Sequence, residues 1–383
     1  MLMIPVEPPI TEYFHKKAAR LHIPLNGTFE LTPLCNMDCK MCYIHIDREK
    51  QEAIRPLRTA AEWISLAEEA KKHGMLYLLL TGGEPFLRAD FKEILAALHK
   101  MGFIISINSN GTLIDESVIR WLKETPPVRI NMTLYGASDE TYGRLCGNPK
   151  GFTQAVRAIH LLKEAGISVK INCSITPYNV GDLEGIFDFC RKEGLIIQAT
   201  SYMFPPMRRD PGKIGWNNRF SPEEAAYYSA KVELLLNGKQ EFLRRLKEKE
   251  LDGLLADPGE DCPIIDEEGE GIRCRAGKCS FWVTWDGKLM PCGMLPPRED
   301  ADVFSLGFEE AWKRASELAA SIRLPARCKG CSLKNQCKAC AAMVYTESGN
   351  YHQVPEYRCR MAHEYPAACK HLEAELSDSR KEG

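Results

Sequence analysis

The chain has 383 residues, too many for one average domain and suited to one large domain plus a smaller one. Its 44% hydrophobic and 27% charged residues are ordinary for a globular protein, and 50 basic against 52 acidic side chains leave a net charge of −2. That balance gives no electrostatic case for nucleic acid or anionic lipid as a partner, and no uninterrupted apolar run could span a membrane. The N-terminus lacks the basic flank and apolar core of a signal peptide, so the expected location is the cytoplasm. In that compartment 16 cysteines point to metal or redox chemistry rather than a disulfide framework.

Residues 1–26 form a short Pro-rich extension with a helical pattern around Glu12–Leu21. From Thr28 a strand–helix alternation begins. Strand-like runs cover Thr28–Leu34, Leu76–Leu80, Phe103–Asn108, Val128–Leu134, Val169–Thr176 and Ile196–Ser201. Helical patterns fill the intervals: Ala60–Lys72, Ala89–Met101, Asp115–Lys123, Gly151–Ala165 and Asp182–Glu193, with Gly74, Gly102, Gly166 and Gly194 as stop signals. Six such repeats over residues 27–201 predict an α/β fold, a partial (β/α)6 TIM-like barrel open on one side, with chemistry at the carboxyl ends of its strands. Residues 202–261 read as a Pro/Gly-rich linker and a helical segment. The helix starts at Ser221-Pro-Glu-Glu and runs to about Leu255. Residues 262–369 are cysteine-rich with little periodicity, and 370–383 read as a polar tail.

Cys35, Cys39 and Cys42 follow the first strand in C-x₃-C-x₂-C spacing, with Tyr43 next. Three thiolates in one turn suit an iron–sulfur cluster and leave one iron of a four-iron cube open. Zinc is the alternative, with His45 as a fourth ligand. After the second strand stands Thr81-Gly82-Gly83-Glu84-Pro85, where glycines permit close backbone approach to a ligand and a carboxylate suits an ammonium group. After the third stands Asn108-Ser109-Asn110-Gly111-Thr112. These three segments together resemble the radical S-adenosylmethionine (SAM) superfamily. The resemblance implies that Gly82, Gly83, Glu84 and Pro85 meet the SAM methionine, with Ser109 and Asn110 beside it. It places Thr133 near the ribose and Arg144 at a carboxylate, while a strand-end threonine and a solvated arginine are equally ordinary readings.

The C-terminal cysteines read Cys274-x₄-Cys279-x₇-Gly287-x₄-Cys292, then Cys328-x₂-Cys331-x₅-Cys337-x₂-Cys340, then Cys359. This resembles the SPASM domain, an iron–sulfur domain of radical SAM maturases, except that two residues rather than three separate the last pair. The resemblance implies two auxiliary 4Fe-4S clusters, one on Cys274, Cys279, Cys292 and Cys340, the other on Cys328, Cys331, Cys337 and Cys359. The alternative is a pair of structural zinc sites. Cys173 and Cys190 read as core, Cys146 as a loop residue at the active rim, and Cys262 and Cys369 as substitutes should the register differ. The aromatic stripe Phe281–Trp285 before Asp286-Gly287 reads as a hairpin whose rings belong to the core.

The resemblance implies three 4Fe-4S clusters in all, an electron donor of flavodoxin or ferredoxin type, and SAM cleavage to a radical that takes hydrogen from a substrate. The substrate it implies is a ribosomally made peptide or protein, to be oxidised or cross-linked. The alternatives are a small-molecule dehydrogenase or cross-linking enzyme, an anaerobic sulfatase maturase and a non-catalytic metal scaffold. Gly293 stands where the sulfatase maturases carry an aspartate base, which argues against them.

Overall fold

Each repeat contributes a strand that is apolar on one face only, and the computed structural model, which describes residues 7–248, 271–329 and 331–378, shows where those faces go. Strands β1 (Asn26–Glu30), β2 (Tyr77–Thr81), β3 (Ile104–Ser109), β4 (Arg129–Thr133), β5 (Val169–Ser174) and β6 (Ile196–Thr200) pair in parallel in chain order. Helices Ala60–Lys72, Phe91–Lys100, Glu116–Leu122, Gly151–Glu164 and Leu183–Glu193 lie between them, as parallel connections require. Their apolar stripes and one face of the sheet merge into a single buried core around Phe29, Trp63, Ile107, Ile130 and Ile171. The other face is different. Along β5, Val169, Ile171 and Cys173 are buried, while Lys170, Asn172 and Ser174 stay partly open. A parallel sheet covered on both sides reads apolar throughout. Here the concave face is a polar groove.

The first strand departs most from expectation, ending at Glu30 rather than Leu34. Residues 32–34 leave the sheet direction to bond the turn after β2: Gly83 N–H donates to Thr32 O at 2.6 Å and Glu84 N–H to Leu34 O at 2.9 Å. A Cβ on Gly83 would lie 2.2 Å from Leu34 O. That glycine therefore serves the approach of two backbone segments.

The expected hairpin forms, and it is part of the barrel. Strand β7 (Ser280–Val283) runs parallel to β1, and β8 (Leu289–Met290) is antiparallel to β7, giving the order β6-β5-β4-β3-β2-β1-β7-β8. Phe281 packs against Phe29, Phe308 and Trp312, so barrel and cysteine-rich region share one sheet and one aromatic core. Helix Phe308–Ser321 closes that side.

Several described helices escape the sequence reading, Arg48–Ile54, Phe308–Ser321 and Ala341–Ser348 among them, and two more bear on the cysteine loop and the tail. Asp139–Cys146 is capped by the Ser138 side chain, opened by two acids and ended at Gly147 in the left-handed region (φ 70°). Cys146 is therefore a buried helix residue, not a loop residue. Residues 356–378 form one continuous helix through Pro366, so residues 370–378 of the expected polar tail are helical, with Leu372 only 2% exposed. That helix runs beside Pro222–Asn237, where Tyr227 Oη bonds Glu375 at 2.9 Å. Ser221 caps its helix as expected, in a capping box with Glu224, but the helix breaks at Gly238 before a second one, Lys239–Lys247. The expected continuation to Leu255, and Cys262, lie outside the described residues.

The linker is tied down by ion pairs. Arg219 pairs with Glu347 at 2.6 Å, both side chains about 5% exposed or less, and stacks over the Tyr357 ring at 3.5 Å. Losing one partner of such a pair leaves a buried charge, at a cost of about 3–5 kcal/mol.

Candidate active site

Cys35, Cys39 and Cys42 lie on the loop that leaves β1 at the carboxyl ends of the strands. Three neighbours fix its backbone and polar side chains. The end of helix Asp139–Cys146 accepts two loop amides, Asp38 N–H to Cys146 O and Lys40 N–H to Leu145 O, both 3.0 Å. Asn110 Nδ2 donates to Asn36 Oδ1 at 2.9 Å, and Asn36 Nδ2 to Thr112 Oγ1 at 2.8 Å. The linker crosses above, with Arg209 pairing Asp38 at 3.0 Å and Asn218 Nδ2 donating to Lys40 O at 2.5 Å.

Burial, with the Glu84 charge adding to it, pushes the Cys35 thiol up to about 12. A hydrogen bond with Cys146, then burial, holds the Cys39 thiol well above its ordinary range, and burial raises Cys42. Metal must displace these protons, so loading and deprotonation are one event. Among the described residues no three His, Cys, Asp or Glu side chains converge as a single ion requires. His45, the conceivable fourth zinc ligand, turns its Nδ1 to Asp38 Oδ1 at 3.2 Å. A multi-iron cluster needs only one thiolate per iron, and this donor set fits it better than zinc.

Glu84 is fully buried beside the cysteines. Its Oε1 accepts from Ser109 Oγ (2.9 Å) and Phe86 N–H (3.1 Å), and its Oε2 from Asn110 N–H (2.7 Å). Asn110 Nδ2 also reaches Cys35 Sγ at 3.6 Å. Burial raises the Glu84 carboxyl to about 7 despite those three donors. Among the described residues no cation offsets that desolvation. An incoming ammonium would, and this is the sense in which the residues fit SAM. Thr133 ends β4 and its carbonyl accepts from Tyr142 Oη at 3.3 Å. Arg144 is turned to the Tyr178 carbonyl, at 3.0 Å from Nη2, bracing the corner where Lys40 lies over the Tyr178 ring.

A second polar cluster was not anticipated. Glu30, wholly buried at the end of β1, pairs with Arg208 at 2.5 Å. It also accepts from Trp282 Nε1 at 3.0 Å. Arg208 lies 5.8 Å from the Tyr43 ring and donates to Gly293 O at 3.2 Å. Cluster loop, linker and β7 meet there. Only the odd placement of a glutamate in an apolar run hinted at it. A Cβ on Gly293 would fall 2.4 Å from the Trp282 indole, so an aspartate does not fit where the sulfatase maturases carry one.

The C-terminal cysteines gather in two places. Cys328, Cys331, Cys337 and Cys359 line one cavity of about 50 Å³, with Leu333 and Val344 among its apolar walls. Beside it Arg358 is buried, bonded only to the carbonyls of Cys337 and Gln336 and to Met361 Sδ, with no carboxylate partner among the described residues. A four-thiolate cluster is anionic, and the lone guanidinium matches it. Cys274, Cys292 and Cys340 pack against a separate apolar core around Met290 and Ile322 and feel one another electrostatically. The short spacing before Cys340 is absorbed by Lys338 in the left-handed region (φ 46°). Cys279 is wholly buried against Ala18, Ala19 and Leu25, and its N–H donates to Arg275 O at 3.1 Å, next to Cys274. Strand alternation explains this, because two residues on Phe281 faces the helices while Trp282 faces the groove. Cys173 and Cys190 are core, as expected, and Cys369 is buried beside Tyr365.

Residues 29–190 match the radical SAM superfamily. The AdoMet-dependent heme synthase of Methanosarcina barkeri is 24% identical over 356 residues, 88% of this chain and 97% of the relative. The sporulation killing factor maturation protein SkfB of Bacillus subtilis is 26% identical over 176 residues, 46% of this chain and 42% of its own. Among solved structures, Streptococcus suis SuiB bound to S-adenosylmethionine superposes with a TM-score of 0.63 at 16% identity, over 92% of this chain and 84% of that one. That likeness carries the fold, a partial barrel with a cysteine-rich C-terminal region. No described helix is long and apolar enough to cross a membrane.

Proposed function

Because this chain belongs to the radical SAM superfamily, we propose that it is an oxidoreductase that removes a hydrogen atom from an unactivated C–H bond of its substrate. Cys35, Cys39 and Cys42 would hold the SAM-binding 4Fe-4S cluster. Gly82, Gly83, Glu84 and Pro85, with Ser109 and Asn110, would bound the methionine end of SAM, and Thr133 and Arg144 the ribose and carboxylate ends. Reduced by a flavodoxin- or ferredoxin-type donor, that pair supplies a carbon radical able to abstract hydrogen. The protein supplies position. Glu84 provides the counter-charge for the ammonium, Ser109 and Asn110 hold that carboxylate in place, and the closed Glu30–Arg208–Trp282 corner keeps water from the groove. The observation that carries this reading is the meeting of Glu84, Ser109, Asn110 and Cys35 at one point.

The two C-terminal sets would hold auxiliary clusters whose chemistry is electron transfer. Cys328, Cys331, Cys337 and Cys359 would ligate one. Cys274, Cys279, Cys292 and Cys340 would ligate the other. Iron analysis after anaerobic reconstitution checks this: Cys292→Ala and Cys279→Ala should each lower iron by about four atoms per chain. Unchanged iron in the Cys279 variant would remove Cys279 from the ligand set.

Peptide modification is the reading that SkfB and the cysteine spacing support. A small-molecule substrate has a more specific support, since the likeness to the heme synthase runs nearly end to end while that to SkfB covers less than half of the chain. We take the small molecule as the leading substrate class. Cell extract passed through a filter of about 1 kDa should stimulate 5′-deoxyadenosine release by reconstituted enzyme, at least about tenfold over buffer. Stimulation by the retained peptide and protein fraction alone would return the assignment to a peptide.

A further inference from the structure

The concave face of the barrel carries two cations that nothing above uses. Arg129 opens β4, and Lys170 is the second residue of β5, opposite Asn131 in the register. Both are partly buried and surrounded by neutral amides. Arg129 Nε donates to Asn131 Oδ1 at 2.9 Å, and Asn131 Nδ2 passes the bond on to Asn108 Oδ1, also at 2.9 Å. Lys170 Nζ donates to Gln198 Oε1 at 2.5 Å. Among the described residues neither cation has a carboxylate partner, and the Nη nitrogens of Arg129 have no protein acceptor. The better-buried arginines at the rim behave otherwise: Arg88, Arg208 and Arg219 each hold a carboxylate.

Two like charges side by side in a half-closed groove are unfavourable twice over, through desolvation and through mutual repulsion. Lys170 shows both effects, since burial first and the Arg129 charge second hold its ammonium below its ordinary range. One anion placed between them would reverse both. Neutral amides facing the same space can orient such an anion but cannot neutralise the cations. The one carboxylate on this face that the ion pairs use, Glu30, is already committed to Arg208.

We propose that Arg129 and Lys170 form the far end of the substrate groove and bind a carboxylate of the substrate. This rests on the reading above that the groove receives substrate. Ser174 marks the rim of β5, four residues beyond Lys170, which is about 13 Å along the strand. The substrate is therefore elongated, with its carboxylate at the floor of the groove and its reacting carbon near the Cys35 and Glu84 end. The planar guanidinium fork and a single ammonium suit a carboxylate, with two oxygens in one plane.

Isothermal titration of the reconstituted full-length protein with sodium hexanoate, hexan-1-ol and inorganic phosphate tests this. Hexanoate should bind saturably, and hexan-1-ol should not. The Arg129→Gln, Lys170→Gln double variant should weaken hexanoate at least about tenfold, while Lys170→Arg, which keeps the charge, should retain it within about threefold. Circular dichroism confirms that each variant is folded, and Lys170→Gln alone serves if the double variant is not. Equal binding of the alcohol, equal or tighter binding of phosphate, or unchanged affinity in the folded charge-removal variant would each overturn the assignment. SAM affinity, measured on the same samples, reports separately on the function proposed above.

Discussion

Replacing Cys35, Cys39 and Cys42 together by alanine should remove about four irons per chain and reduce 5′-deoxyadenosine release at least about a hundredfold under strong reductant. The expectation follows from how the loop is built. Its backbone is held from outside by Leu145 and Cys146, by Asn110 through Asn36, and by Arg209 and Asn218 of the linker. None of those bonds uses a cysteine side chain. The alanine variant should therefore keep its fold and lose only its metal, which circular dichroism and iron analysis on one preparation would separate. Cys146 sharpens the test. Its thiol is hydrogen-bonded with that of Cys39, yet it is placed by a helix rather than by the loop. Cys146→Ala should retain the four irons. If that variant loses them while the triple variant keeps them, the cluster has been assigned to the wrong thiols.

The barrel was legible because its signals are local. Apolar stripes, capping residues and post-helical glycines mark each repeat, and Ala60–Lys72 falls on the bounds they predict. The cysteine loop and the Gly-Gly-Glu turn were legible as composition and spacing. Their mutual support was not, since Asn110 Nδ2 reaching Cys35 Sγ joins residues 75 positions apart. The Glu30–Arg208 pair spans 178 positions, and nothing near Arg208 announces a partner on β1. Cys279 shows a different limit. Its spacing admits a ligand, while its burial beside Ala18, Ala19 and Leu25 depends on β7 pairing with β1, which no local signal announces. Helix Asp139–Cys146 was readable from Ser138, its acids and Gly147. Helix Glu356–Asp378 was obscured by Pro366 and by a surface polar enough to pass for a tail.

Removing the Glu84 charge should weaken SAM binding by about ten- to a hundredfold, with Glu84→Gln and Glu84→Ala alike in direction. The carboxylate sits where water cannot solvate it, and its three donors only partly offset that loss. A cation brought alongside recovers the deficit, so the interaction is stronger than at an exposed acid. Glutamine keeps the shape and one acceptor oxygen, enough for the Ser109 and Phe86 bonds, while its amide nitrogen faces the Asn110 N–H; agreement with Glu84→Ala then identifies the lost charge as the common cause. The pH dependence provides an independent check. Burial raises the carboxyl to about 7, so without ligand a growing fraction is protonated as pH falls from 8 to 6. Only the ionised form attracts the ammonium, and binding must first expel the proton below that pKa. Wild-type affinity should therefore decline as pH is lowered through 7, approaching tenfold per pH unit at the acid end, and Glu84→Gln should remove that slope. Equilibrium dialysis of labelled SAM against both proteins at pH 6, 7 and 8 measures it. Parallel pH profiles for wild type and Glu84→Gln would show that Glu84 shapes the turn after β2 without meeting the SAM ammonium. Ser109→Ala removes one of the bonds that favour the ionised form, so its midpoint should move above that of wild type, in the opposite direction from any loss of burial.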